Sequence, residues 1–186
     1  MLPYQTISVY RRLVSMIFVT GGRNQVDGIL KWAKFFPKPI LQTEKLNSMT
    51  APKIGDIFTH DITYTQEQVD LYAKISGDTN PLHVNPEVGK VSMFGRNIIH
   101  GHFSASVFTK IFGTLLYPDG QIYMKQSTTF LKPMFVDTPY QAVITVKEIF
   151  PEKNRVLFET KVIDKATGVE TIVGEALLMN KTHYAW

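Results

Sequence analysis

An aspartate and a histidine five positions apart, Asp78 and His83, lie in the run Ser76-Gly77-Asp78-Thr79-Asn80-Pro81-Leu82-His83. A carboxylate and an imidazole that face a common point can hold a water molecule and move its protons near neutral pH. Gly, Asp, Thr, Asn and Pro are also ordinary turn residues. On residue types alone, a plain turn with a satisfied histidine stands beside the catalytic reading.

The elements on either side must place this pair. Thr65-x-x-Gln68 is a capping-box pattern that opens a helix over residues 66–76. Val69, Tyr72 and Ile75 or Ser76 recur at helical spacing, which makes Tyr72 a packing residue. Gly77 accepts the left-handed conformation that closes a helix. Pro81 fixes its own φ and pushes Asn80 towards extended backbone, so the chain leaves the helix stiffly. Before this helix, residues 57–63 read as a short strand. After it, residues 84–97 hold Pro86, Gly89 and Gly95 and read as irregular with room for one short helix; such long connections often cover sites. A second helix is expected over residues 100–116. Ile99, Phe103, Val107, Phe108, Ile111, Phe112, Leu115 and Leu116 make it apolar over much of its surface, hence buried. Tyr117-Pro118-Asp119-Gly120 ends it with turn chemistry. Strand-like segments follow at 121–131, 140–150, 155–164 and 170–179, with turns at Pro151-Glu152-Lys153-Asn154 and Lys165-Ala166-Thr167-Gly168. The order predicts an α+β fold in which a five-stranded antiparallel sheet curls around the second helix.

Composition narrows the field. The chain has no cysteine, which removes disulfides, thiolate metal sites and cysteine nucleophiles. The net charge of +4 is uneven: residues 1–43 carry six basic side chains and one acidic one, and the remainder is close to neutral. No basic stripe with interleaved aromatics follows, so nucleic acid is not an expected partner. No apolar run approaches the length of a membrane span. Residues 1–48 read as a basic leader and residues 49–186 as one domain. Val9, Leu13, Met16 and Ile17 share a helical face beside Arg11 and Arg12, the character of a mitochondrial transit peptide. An N-terminal helix docked on the domain is the competing reading, and Trp32, Phe35 and Phe36 beside Pro37 and Pro39 do not suit a simple transit peptide.

Tyr72 with Ile75-Ser76-Gly77-Asp78-x-Asn80-Pro81-Leu82-His83 resembles the hydratase 2 signature of the MaoC-like dehydratases, the R-specific enoyl-thioester hydratases. The resemblance continues through Ile99-His100-Gly101 and spans roughly residues 53–179. It implies the hot-dog fold, a homodimer, and reversible interconversion of (3R)-3-hydroxyacyl and trans-2-enoyl thioesters. Asp78 and His83 are then the catalytic pair. The backbone N–H of Gly101, at the start of the buried helix, is the expected oxyanion donor. Asn80 is expected to brace the loop. An ungapped alignment on His100-Gly101 puts Thr109 where relatives carry a serine that supports the carboxylate; Ser104 and Ser106 are alternatives. His100 is expected to be structural at the helix entrance. His102 departs from the apolar residue usual there, and His60 and His183 are expected on the surface.

With a mitochondrial leader, the resemblance implies a matrix enzyme acting on acyl carrier protein in fatty acid synthesis, with acyl-CoA as the alternative carrier. Lys110, Lys125, Lys132 and Arg96 are within reach of carrier phosphates or are simply solvated. No cofactor is implied. A metal site from His100, His102 and Asp78 has no HExxH pattern or cysteine cluster behind it, so none is expected. A non-catalytic module that binds acyl thioesters needs the same tunnel but not the Asp–His pair. A thioesterase on the same fold has no support in the signature.

Overall fold

The computed structural model describes residues 51–186 apart from 118. The expected leader over residues 1–48, and the targeting reading that rests on it, lie outside these residues.

The expected sheet forms. Strands β1 (Ile57–Ile62), β2 (Ile122–Phe130), β3 (Tyr140–Phe150), β4 (Arg155–Asp164) and β5 (Glu170–Met179) pair antiparallel in the order β1-β3-β4-β5-β2. Period-two alternation sets which face is buried. Tyr140, Ala142, Ile144 and Val146 of β3 point inward, as do Val156, Phe158 and Val162 of β4. The outer face is polar, with Lys161 of β4 paired to Glu159 and Glu170 and Lys147 of β3 bonded to Glu175 of β5. At Gly174 on β5 a side chain is excluded by space: a Cβ there would sit 1.9 Å from the carbonyl oxygen of Ser127 on β2.

Helix α1 (Gln66–Ser76) opens with the expected capping box, Thr65 and Gln68 each bonding the other's backbone N–H, and closes on Gly77 at φ 79°. The next segment is more regular than its composition implies. Helix α2 (Pro81–Val84) forms where the chain was expected only to leave α1 stiffly, and α3 (Pro86–Val91) is the one short helix allowed for over residues 84–97. Each starts on an asparagine cap, Asn80 or Asn85, followed by a proline at the first helical position, which needs no N–H there. His83 therefore stands on a helical turn rather than in a loop.

The second helix is not one rod. It divides into α4 (Gly101–Ala105), α5 (Val107–Lys110) and a π-helical segment (Ile111–Leu115). The first break is at Ser106. Its N–H and its hydroxyl both bond the Phe103 carbonyl, tightening the turn. At the other end Leu116 N–H reaches back five residues to the Ile111 carbonyl. Nor is the helix buried all round. Val107, Phe108, Ile111 and Phe112 are at most 3% exposed against the sheet, while His102, Thr109, Lys110, Gly113 and Thr114 face outward. Full burial of each large apolar side chain contributes about 1.5–3 kcal/mol, so this one face suffices to seat the helix. Behind it Phe112 meets Phe158 with ring centroids 5.1 Å apart, and Tyr184 is fully buried. Asn180, fully buried, ties the chain end to the helix exit by donating to the carbonyls of Tyr117 and Asp119.

His60 and His183 are half-buried, not surface residues, and the Nε2 of each is enclosed without a partner. His60 alternates inward on β1 with Phe58 and Ile62. Burial first, then the nearby Lys110 charge, holds its pKa below 6.5. A depressed histidine pKa means that the unfolded chain takes up the proton first. The stability linked to His60 is therefore complete above about pH 6.5 and declines as pH falls through the folded value. In chemical denaturation, His60→Leu is expected to lose less stability than wild type between pH 7 and pH 5, about neutral conditions and mild acid.

Candidate active site

The two residues singled out by spacing come together with a third that was expected only to be structural. One ligating atom from each of Asp78, His83 and His100 lies within 4.8 Å of the others. The Asp78 side chain is 55% exposed and that of His100 only 3%, so the cluster runs from solvent into the core.

Asp78 sits on the stiff exit from α1. Its N–H donates to the Ser76 hydroxyl at 3.2 Å, and its Oδ1 accepts the Asn80 N–H at 3.3 Å. Asn80 then caps α2: its Oδ1 accepts the Leu82 N–H at 3.0 Å, and its carbonyl accepts the His83 N–H at 2.9 Å. Asn80 thus ties Asp78 to the first turn of α2. Oδ2 of Asp78 remains, 4.0 Å from His100 Nε2.

His83 is held by its ring. Nδ1 lies 2.8 Å from the Ile98 carbonyl. A carbonyl only accepts, so Nδ1 carries a proton, and in the neutral ring Nε2 keeps its lone pair. The main chain of His83 is tied as well, its carbonyl accepting from Gln66 Nε2 at 2.9 Å. Asn97, which the sequence reading passed over, is buried and donates through Nδ2 to the carbonyls of Leu82 at 2.8 Å and Asn85 at 3.1 Å. Ile98 N–H adds a bond to the Leu82 carbonyl. A lone asparagine carries no sequence signal for such a role. The available hint was that it lies between two motif halves.

Gly101 is the first residue of α4, so its N–H has no acceptor within the helix. A Cβ at Gly101 would approach the Phe130 ring to 3.1 Å. Phe130 ends β2, is 44% exposed, and meets His102 edge-on at 5.6 Å. His102 is exposed beside the helix start and contributes nothing to the cluster. Thr109 is not brought to the carboxylate either. It is exposed on α5, beyond the break at Ser106, and makes no side-chain hydrogen bond to Asp78. Ser104 is buried but spends its hydroxyl on the His100 carbonyl at 3.1 Å, and Ser106 spends its own on Phe103.

Among the described residues, the trio close enough to share a cation is Asp78, His83 and His100, not the set with His102. Its donor chemistry suits a water better. His100 Nε2 donates to the Asp78 main-chain carbonyl at 2.9 Å, which commits the nitrogen nearest the carboxylate. What remains is the Asp78 carboxylate, the His83 Nε2 lone pair and an unfilled amide at a helix start. That set can polarise one water and receive a negative oxygen.

Residues 49–172 match the family model described as MaoC like domain. An (R)-specific enoyl-CoA hydratase of Rhodospirillum rubrum is 36% identical over 117 residues, which is 63% of this chain and 80% of that protein. A mitochondrial 3-hydroxyacyl-[acyl-carrier-protein] dehydratase of Arabidopsis thaliana is 28% identical over 146 residues, 76% of this chain and 87% of that protein. Among solved structures, an (R)-hydratase of A. caviae involved in PHA biosynthesis superposes with a TM-score of 0.66 at 29% identity, covering 69% of this chain and 97% of that one. With the signature seated on this sheet-and-helix frame, the chain belongs to the MaoC-like family and is a hydro-lyase of the hydratase/dehydratase kind.

Proposed function

We propose that this hydro-lyase interconverts (3R)-3-hydroxyacyl and trans-2-enoyl thioesters, with Asp78 and His83 as its catalytic residues. The observation that carries the proposal is how the pair is held: His83 Nδ1 is spent on the Ile98 carbonyl, and a ring nitrogen of His83 and a carboxylate oxygen of Asp78 lie within 4.8 Å of each other. In hydration, the oxygen of a water held by the pair bonds the β-carbon while the water loses one proton. A proton is delivered to the α-carbon, and the double bond between them becomes single. Dehydration reverses each step. Negative charge passes through the thioester oxygen, and the Gly101 N–H faces it with the positive end of α4 behind. Asn80 keeps the carboxylate and the turn in register.

Acyl carrier protein in a mitochondrial fatty acid synthesis is the substrate form we favour. The Arabidopsis relative's name and the basic segment before the domain support it. The greater identity to the Rhodospirillum relative supports the second reading, an enoyl-CoA hydratase of another pathway. Matched CoA and carrier-protein substrates separate the two by kcat/KM. We also propose a homodimer. The β2 edge and the turn after it expose Ile122, Tyr123, Met124, Phe130 and Leu131, an apolar strip that a second copy would cover.

Three outcomes test this reading. Wild type is expected to hydrate crotonyl-CoA, while Asp78→Asn and His83→Ala each lower kcat by about 100-fold or more; rapid turnover by both variants would overturn the site. Gly101→Ala keeps the N–H but sets a Cβ against the approach of the thioester oxygen as well as against the Phe130 ring; it is expected to lower kcat by about 100-fold, and adding Phe130→Ala, which relieves only the ring, should not restore it. Restoration would mean that Gly101 serves only to pack beneath Phe130. Sedimentation equilibrium of the domain at micromolar concentration is expected to return twice the monomer mass, and a monomer there would refute the pairing.

A further inference from the structure

We infer that His100 is the positioning residue of this site: without touching substrate, one buried imidazole sets the Asp78 main chain and backs the ring of His83. The inference rests on the reading of Asp78 and His83 given above. Four observations converge on it. His100 Nε2 donates to the Asp78 carbonyl at 2.9 Å. Its ring stacks on that of His83, centroids 3.9 Å apart and 29° between planes. On another side Tyr72 meets it at 5.0 Å, and Tyr72 in turn stacks on Phe103 at 4.9 Å. His100 is also the residue from which α4 begins, immediately before Gly101. All three working groups are thus one contact from the same side chain: a backbone bond to Asp78, a ring face to His83, a peptide bond to Gly101.

Stability alone does not account for the residue. Nε2–H is the donor, and the other ring nitrogen, Nδ1, is buried with no hydrogen-bond partner. An unfilled buried nitrogen weakens a fold. Phenylalanine at this position would fill the ring slot between Tyr72 and His83 and abolish the orphan atom, but it would release Asp78. Glutamine does the opposite. Its amide nitrogen lies the same number of bonds from Cβ as Nε2 and can donate to Asp78, but it offers no ring to His83.

The experiment compares His100→Phe, His100→Gln and wild type as full-length protein. Three readouts are taken: kcat and KM on crotonyl-CoA, thermal midpoint, and hydrogen exchange of the peptides covering residues 77–85. His100→Phe is expected to lose about 100-fold in kcat, the scale of an ångström-sized misplacement. Its KM should move less than about threefold and its thermal midpoint should hold or rise, because only the placement of the reacting groups is lost. Its loop peptides should exchange faster. His100→Gln is expected to recover about tenfold or more of that kcat and to restore loop protection. Turnover by His100→Phe near the wild-type rate, or His100→Gln no better than His100→Phe, would overturn the inference. A wild-type chain inert on crotonyl-CoA would count against the proposed reaction instead. The exchange data would then still decide His100: protection lost in Phe and kept in Gln supports it, and equal protection in both refutes it.

Discussion

Three residues between the irregular stretch and the buried helix, Asn97 to Ile99, bear the constraint on which the site depends. The Asn97 side chain bonds the carbonyls that end α2. Ile98 gives its N–H to Leu82 and its carbonyl to the His83 ring. Ile99 N–H reaches the Met134 carbonyl on the far side. The histidine, the chain that carries it and the start of α4 are therefore fastened to one short bar of backbone. The bar in turn is held in place because Val107, Phe108, Ile111 and Phe112 are pressed into the sheet a turn or two later. Hydrophobic burial seats the frame without direction, and hydrogen bonds then give the angles.

The division of labour between exposure and burial follows from this. Asp78 stands in solvent, where an ionised carboxylate is cheap, and His83 is half-buried behind it. The only buried member of the three, His100, holds its neighbour through a single ring nitrogen on a main-chain carbonyl. Charge therefore stays at the mouth while the imidazoles form a stacked wall that leads inward to Tyr72 and Phe103.

Local patterns carried much of this into the sequence. The capping box at Thr65, the glycine exit at Gly77 and the bounds of β3, β4 and β5 were legible because each depends on residues a few positions apart. The Asp78–His83 pair was legible as a spacing, and its family signature pointed to hydro-lyase chemistry. Contacts across long separations were not. Nothing near His100 announces that its ring reaches back 22 residues to Asp78, and nothing near Asn97 announces its carbonyls. The central helix was misread for a related reason. Apolar count gave its existence, but the break at Ser106 and the wide turn after Ile111 lie in which carbonyl each backbone N–H reaches, and apolar count carries no such information. His60 read as polar and so as surface, yet strand alternation turned it inward. Thr109 was placed by alignment, whereas helix phase points it to solvent.

The wide turn from Ile111 to Leu115 has a consequence of its own. Such a turn spends one more residue than the ordinary spiral, which rotates everything after it by about 100°. That slip delivers Leu116 and Tyr117 to the interior, where Asn180 donates to the Tyr117 carbonyl. A chain shortened by one residue here would keep its Asp–His pair and its sheet, yet present the wrong side chains to its own C-terminal tail. A one-residue insertion or deletion in this turn is thus expected to spare the mouth and to cost stability at the exit.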